Sequence, residues 1–212
     1  MAILKTGING AFSGTVGPVV GYERFGKATM RSKPKTSVKN KKGTKPQKAS
    51  RSVFKKMQDF LEPILPQIRM GFGAEGRSRQ MTAHNAAMSH NLLHAVGPSG
   101  EIDYSKITTS YGKLPGAVDV ALATDDAGIH VSWKNNTAEF GAEAKDQVVI
   151  LAYAVAKRRV YNMTSGARRS AGQDTVAIHP IRKGVVLHVW LSFLSDDRER
   201  VSMSTYLGTC KV

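Results

Sequence analysis

The amino-acid sequence predicts an α+β protein that ends in an antiparallel β-sandwich. Three observations carry this prediction: a glycine-punctuated, β-branched segment at residues 12–31, two helical apolar stripes between residues 45 and 96, and alternating apolar residues from position 118 onward. The predicted parts are a glycine-rich β ribbon (1–31), a basic arm (32–47), a helical hairpin with its linker (48–112) and the sandwich (113–212). With 212 residues, 41% of them hydrophobic, the chain can bury a sizeable core.

The ribbon is predicted as two short strands between Phe12 and Arg31. Aromatic and β-branched residues such as Val19, Val20 and Tyr22 are separated by glycines, a pattern typical of strands joined by tight turns. The turn is expected within residues 23–26. The arm follows because residues 32–47 show no apolar periodicity at all.

Two helices are predicted after the arm, and they are expected to pair. Thr44 can cap the first helix, and Pro46 is tolerated in its first turn. Pro63 is expected to kink or restart this helix, and Gly71 to end it. The second helix, rich in alanine, is predicted from about residue 78 to residue 96.

The last hundred residues carry six or seven strand-like runs separated by turn signals, which is typical of a two-sheet sandwich. The clearest runs are residues 118–122, 129–133, 148–155, 175–178, 185–194 and 201–207. This half resembles a fibronectin type III or immunoglobulin-like module, with Pro115 at its start, Trp133 on the second strand and Tyr153 on the third. It differs from such modules in having no cysteine pair, and Leu187 or a neighbour stands where the corner tyrosine is usual.

A set of short motifs is spread over the whole chain: residues 7–22 (GINGAFSGTVGPVVGY), Gly26-Lys27, Arg31 with Pro34 and Lys35, residues 81–87 (MTAHNAA), 102–106 (IDYSK), 165–169 (SGARR) and 204–208 (STYLG). Together they resemble an uncharacterised family of similar length from Bacteroidota bacteria, known only as a domain of unknown function. The resemblance implies a provenance and a domain length, and it transfers no functional residues.

The charge of the chain is concentrated near its beginning. The formal net charge is +15, from 31 Lys and Arg against 16 Asp and Glu. Residues 1–56 hold fourteen of these bases and a single acid, Glu23, which makes +13, while the seventeen bases and fifteen acids that remain make +2. A block of this kind, with proline at 34 and 46, predicts an extended arm that meets a polyanion.

The predicted polyanion contacts are mostly lysines, which act as point charges and do not read bases as arginine does. They are Lys27, Arg31, Lys33, Lys35, Lys39, Lys41, Lys42, Lys45, Lys48, Arg51, Lys55 and Lys56. Nucleic acid is the favoured partner, bound through its backbone without sequence readout; an acidic protein, anionic lipid head groups and a merely solubilising tail are the alternatives. Tyr22 and Phe25 could stack on bases, although core packing is the favoured expectation for both.

The sequence gives weaker support for a nucleotide site, a metal site or catalysis. Residues 21–27 match the G-x4-G-K spacing of a phosphate loop, but Ala28 replaces the hydroxyl that would hold Mg²⁺. His90 and His94 share a helix face without a third metal ligand, and the single cysteine, Cys210, excludes an intrachain disulfide and a cysteine-based zinc site. No nucleophile motif occurs, so neither catalysis, nor a metal, nor a cofactor is predicted.

Two functions therefore stay open. The first is a non-enzymatic binding or assembly protein whose arm contacts nucleic acid or another polyanion, while the sandwich makes protein contacts. The second is a structural subunit of a larger particle, phage-like or otherwise, whose arm wraps a neighbouring subunit in a homo-oligomer or larger assembly. The sequence shows no signal-peptide pattern and no apolar run long enough to span a membrane, so a cytoplasmic location, or one inside a particle, is expected.

Overall fold

The computed structural model describes residues 3–4, 10–34, 43–125, 127–178 and 184–211. The chain divides into two compact units, Met1–Lys48 and Ala49–Val212. The second unit thus contains both most of the helical segment and the whole sandwich. Four lysines of the predicted arm, at positions 35, 39, 41 and 42, lie outside the described residues.

The first unit contains an antiparallel sheet in the order β1-β2-β3-β4. Its strands are β1 (Ile3–Leu4), β2 (Phe12–Val16), β3 (Val19–Arg24) and β4 (Lys27–Ser32). The predicted turn within 23–26 is confirmed, because Phe25 and Gly26 form the two-residue connection between β3 and β4. A second turn at Gly17 and Pro18, with Gly17 at a φ of +52°, divides the remaining predicted strand into β2 and β3.

Gly21 is required by close packing inside this sheet. A Cβ at position 21 would lie 2.5 Å from the Phe12 carbonyl oxygen and 2.6 Å from the Phe12 ring. The ring of Phe12 thus covers a position on the neighbouring strand where only glycine fits.

The helices are α1 (Lys45–Leu61), α2 (Leu65–Gly71), α3 (Gly73–Ser78) and α4 (Ala83–His94). The predicted cap at Thr44 is confirmed as a reciprocal pair with Gln47: the Gln47 N–H donates to Thr44 Oγ1 at 3.4 Å, and the Thr44 N–H donates to Gln47 Oε1 at 3.0 Å. The restart at Pro63 and the end at Gly71 are also confirmed.

The second predicted helix was placed too early. It begins at Ala83, because Thr82 Oγ1 accepts the Asn85 N–H at 3.1 Å and caps α4 there. The residues before it form the short helix α3, which was not predicted. Helix α4 packs on α2 and α3, so the pairing with the first predicted helix is made through its second segment, α2.

The sandwich consists of two antiparallel sheets, in the orders β5-β6-β9 and β11-β10-β7-β8. Its strands are β5 (Val118–Thr124), β6 (Gly128–Lys134), β7 (Gln147–Ala154), β8 (Arg159–Met163), β9 (Gln173–Ala177), β10 (Val186–Leu194) and β11 (Thr205–Lys211). The predicted α+β class with a C-terminal sandwich is therefore confirmed.

The four-stranded sheet is buried on both faces. On one face, Ile150 and Val189 pack against Ile129 of the three-stranded sheet. On the other face, Tyr153 and Trp190 pack against the helices, and the Phe60 ring centroid of α1 lies 5.2 Å from that of Tyr153. Burial on both sides explains why β7 and β10 have nearly continuous apolar sequences, as strands covered on both faces usually do.

Two strands differ from the prediction. Strand β8, Arg159–Met163, was missed because it is an edge strand with polar residues and so lacks an apolar run. Strand β11 begins four residues later than the predicted 201–207, since Ser202 Oγ accepts the Phe193 N–H at 2.8 Å and Val201 makes only an isolated bridge to Leu194.

A buried ion pair joins the loops of the sandwich. Arg169 and Asp146 are both fully buried, and Arg169 Nε donates to Asp146 Oδ2 at 3.0 Å. The other guanidinium nitrogens donate to Asn136 Oδ1 at 2.7 Å and to the Pro115 carbonyl oxygen at 2.8 Å. One side chain thus links the segment before β5, the β6–β7 connection and the β8–β9 connection.

Candidate polyanion-binding surface

The ribbon hairpin places three cations on one face of the first sheet. In the β3–β4 register Arg24 pairs with Lys27, and Val20 pairs with Arg31. Residues directly opposite each other in an antiparallel pair share a face, and so do alternate residues of one strand. Arg24, Lys27, Arg31 and Tyr22 therefore share one side of the sheet, which we call the basic ribbon face.

The one acid of this region lies on the other side. Glu23 is the only Asp or Glu in residues 1–56, and it pairs with Ala28. Its position between Tyr22 and Arg24 in β3 directs it to the opposite face. Neither β3 nor β4 therefore places a carboxylate on the basic ribbon face, although Glu23 itself belongs to β3.

Two aromatic rings accompany these cations. The Arg31 guanidinium carbon lies 5.8 Å from the Tyr22 ring centroid, and that of Arg24 lies 5.6 Å from the Phe25 ring centroid. Both distances fall in the range of cation–π contacts. Phe25 is 51% exposed at the tip of the hairpin, so the expectation that it packs in a core is wrong; Tyr22 is half-buried.

Arg24 was absent from the predicted contacts, although the structure groups it with Lys27 and Arg31. The signal that could have found it is the combination of the turn with strand alternation. Once Phe25 and Gly26 are taken as the two turn residues, Arg24 must stand opposite Lys27.

Helix α1 carries the next group of predicted contacts. Lys45, Lys48, Arg51 and Lys55 are all exposed and recur at spacings of three and four residues along the helix. They form no ion pair with a carboxylate among the residues that the structure describes. Lys45 and Lys48 lie at the start of α1, near the positive end of the helix dipole, where cations are unfavourable. The first turn has no acidic residue that would compensate them.

The remaining predicted contacts differ in availability. Lys33 is exposed just after β4, and its backbone N–H donates to the Pro18 carbonyl oxygen at 2.7 Å. Lys56 forms an ion pair with Glu101, at 2.5 Å between Nζ and Oε1, so its charge is locally balanced. Nothing is assigned to Lys35, Lys39, Lys41 and Lys42, which fall outside the described ranges.

The competing sites do not assemble in the described structure. The G-x4-G-K segment is the β3–β4 hairpin, whereas a phosphate loop joins a strand to a helix. The His90 and His94 rings are 4.6 Å apart, and burial, followed by the nearby His94, lowers the pKa of His90. Among residues with described positions, no group of three or more His, Cys, Asp or Glu could hold a metal ion. Cys210 is buried on β11, and burial raises the pKa of its thiol.

A family model matches nearly the whole of this structure, from residue 11 to residue 208, and is described as a family of unknown function, DUF6266. The chain belongs to this family. The DUF6266 match includes the basic ribbon face, the helices and the buried Arg169 network, so it covers most of both compact units. No curated protein and no solved structure matches the chain.

Among the described residues of this DUF6266 chain, no helix is both long enough and apolar enough to cross a bilayer.

Proposed function

We propose that this protein binds nucleic acid, or a comparable polyanion, through backbone charge and without sequence readout or catalysis. The observation that carries the proposal is the basic ribbon face, where Arg24, Lys27 and Arg31 share one side of a hairpin and Glu23 lies on the other. A concentrated positive field attracts phosphates whatever base they carry.

The types of residue on this surface favour contacts with the phosphate backbone of nucleic acid. Ten of the twelve contacts predicted from sequence are lysines and two are arginines. A lysine ammonium neutralises phosphate as a point charge, whereas the bidentate recognition of guanine uses the planar fork of arginine. A surface dominated by lysine therefore favours affinity over selection of a sequence.

The charge of α1 supports the same function. Cations in the first turns of a helix each cost roughly 0.3–1 kcal/mol through the helix dipole at low ionic strength. Lys45 and Lys48 occupy these turns, and no acid compensates them in the first turn. A bound polyanion would reverse this penalty, because its phosphates complement both the side chains and the helix dipole.

The sandwich is proposed to make protein contacts in a fibronectin type III-like arrangement. Its three-stranded and four-stranded antiparallel sheets support that arrangement. A cytoplasmic location, or one inside a particle, and an origin in Bacteroidota belong to the same proposal.

The test is a set of fluorescence anisotropy titrations with two 20-base-pair DNA duplexes of unrelated sequence, an RNA duplex and heparin. We expect the two DNA duplexes to bind with dissociation constants within threefold of each other, and heparin to compete with both. A strong preference for one of the two DNA sequences would contradict binding without sequence readout. No binding to any of the four ligands at low salt would overturn the proposal.

A second candidate function is a subunit of a larger particle, and one observation in the second unit favours it. Phe140 is fully exposed beside a groove of about 500 Å³ lined by Tyr111, Leu114, Pro115 and Val201. An exposed aromatic beside an apolar groove is typical of a surface that associates with another protein.

Light scattering after size-exclusion chromatography of nuclease-treated protein tests this candidate. We expect a discrete oligomer that Phe140→Ser reduces to a monomer, while Phe54→Ser, which removes another exposed phenylalanine, leaves it intact. A wild-type protein that is monomeric at all concentrations would count against the particle function.

A further inference from the structure

We infer that the ribbon hairpin selects single-stranded nucleic acid, DNA or RNA, by stacking unpaired bases on Phe25 and Tyr22. This inference rests on the proposed polyanion binding and adds the class of ligand to it. Charge alone attracts duplexes, single strands and heparin alike, whereas a stacking surface distinguishes the ligand whose bases are free.

The conformation of Phe25 is the first observation. Phe25 has a φ of +50°, and its side chain is 51% exposed. Two-residue hairpin turns with positive φ favour Asn, Asp or Gly, and a bulky residue in this region is an outlier. Phe25 thus leaves about half of its surface exposed, and it occupies a position that asparagine would fill with less strain.

An exposed aromatic in a strained backbone position is a feature that functional sites often retain. Gly26, the second turn residue, has a φ of +73°, so the turn already contains the glycine it needs. Folding of the hairpin therefore gives no reason for an aromatic side chain at position 25. Contact with a ligand gives one.

The second observation is the pairing of each ring with a guanidinium. Arg24 lies 5.6 Å from the centroid of Phe25, and Arg31 lies 5.8 Å from that of Tyr22. Surfaces that bind single strands combine aromatic rings, on which bases stack, with cations that neutralise the adjacent phosphates. The hairpin has two such pairs of a ring and a cation, Phe25 with Arg24 and Tyr22 with Arg31.

Duplex DNA and heparin cannot use the rings in this way. The bases of a duplex are stacked on each other inside the helix, and heparin has no bases. Comparing a single strand with these two ligands therefore separates stacking from charge.

The decisive variant is Phe25→Asn, which removes the ring and favours the turn. We expect it to fold at least as stably as the wild type, and to bind a 20-residue oligothymidine roughly 5- to 150-fold more weakly, the range found when one stacked ring is removed. Binding of a 20-base-pair duplex and of heparin should change less than twofold. Phe25→Trp should restore the oligothymidine affinity, and Tyr22→Phe should keep it.

Equal weakening on all three ligands, or no weakening on oligothymidine, would overturn base stacking while leaving polyanion binding in place. A wild-type protein that binds none of the three would overturn the polyanion proposal and this inference together. Oligouridine, measured in parallel, distinguishes RNA from DNA: comparable affinity indicates recognition of any single strand, and a strong preference identifies the sugar that is favoured.

Discussion

Replacing Arg169 with methionine is expected to lower the free energy of unfolding by about 3–5 kcal/mol, the usual result of removing one partner of a buried ion pair. Asp146 would be left fully buried without its cation. The variant would also leave Asn136 Oδ1 and the Pro115 carbonyl oxygen without their donors. Packing is lost as well, because the guanidinium carbon lies 3.8 Å from the Phe193 ring centroid.

Urea denaturation followed by circular dichroism measures this loss. The matched control is Arg168→Met, which makes the same change at the adjacent, exposed residue. Such surface substitutions usually alter stability by less than about 0.5 kcal/mol. If Arg169→Met and Arg168→Met have the same midpoint and slope, the buried network does not stabilise the fold.

Replacing the three cations of the basic ribbon face with glutamine is expected to weaken duplex binding roughly 100-fold near physiological salt, because each phosphate contact contributes about fivefold there. The variant Arg24→Gln/Lys27→Gln/Arg31→Gln changes exposed strand residues, so the sheet should keep its structure. Anisotropy titration at a single salt concentration measures the change.

A control with the same change of charge separates position from net charge. Lys145, Lys157 and Lys211 are exposed in the second unit, and their replacement with glutamine also removes three positive charges. We expect this control to bind within about threefold of the wild type, because lysines that neutralise no phosphate release no counterions from the nucleic acid. Equal losses in both variants would mean that binding depends on total charge.

The elements with strong local signals were predictable. The cap at Thr44, the break at Pro63 and the strands at residues 118–124, 128–134, 147–154, 173–177 and 186–194 follow from capping chemistry, proline geometry and apolar alternation. Strand β8 was missed because its polar residues break up any apolar run, and the start of β11 was missed because a side-chain hydrogen bond at Ser202 interrupts the ladder.

Arg169 shows what periodicity cannot detect. A charged residue in a polar stretch is taken as exposed, since arginine is rarely buried without a partner. Its partner Asp146 is 23 residues away and has no sequence spacing that marks it. Only the tertiary structure brings the two together.

The candidate site was predictable in location more than in arrangement. The concentration of charge before residue 57 is visible in the sequence, whereas the grouping of Arg24 with Arg31 depends on strand register. A shift of one residue would move each side chain to the other face. The register depends on which two residues form the turn. The glycine pattern placed the turn within residues 23–26, and the structure shows that Phe25 and Gly26 form it.

The most direct test of the central claim is the dependence of duplex affinity on salt. For B-form DNA, the slope of log K against log salt is about −0.9 for each phosphate neutralised. We predict that the ribbon variant has a slope shallower than that of the wild type by about 2.7, the value for three lost contacts, and that the control keeps the wild-type slope. Parallel lines for the wild type and the ribbon variant would contradict the claim that these three cations bind the polyanion.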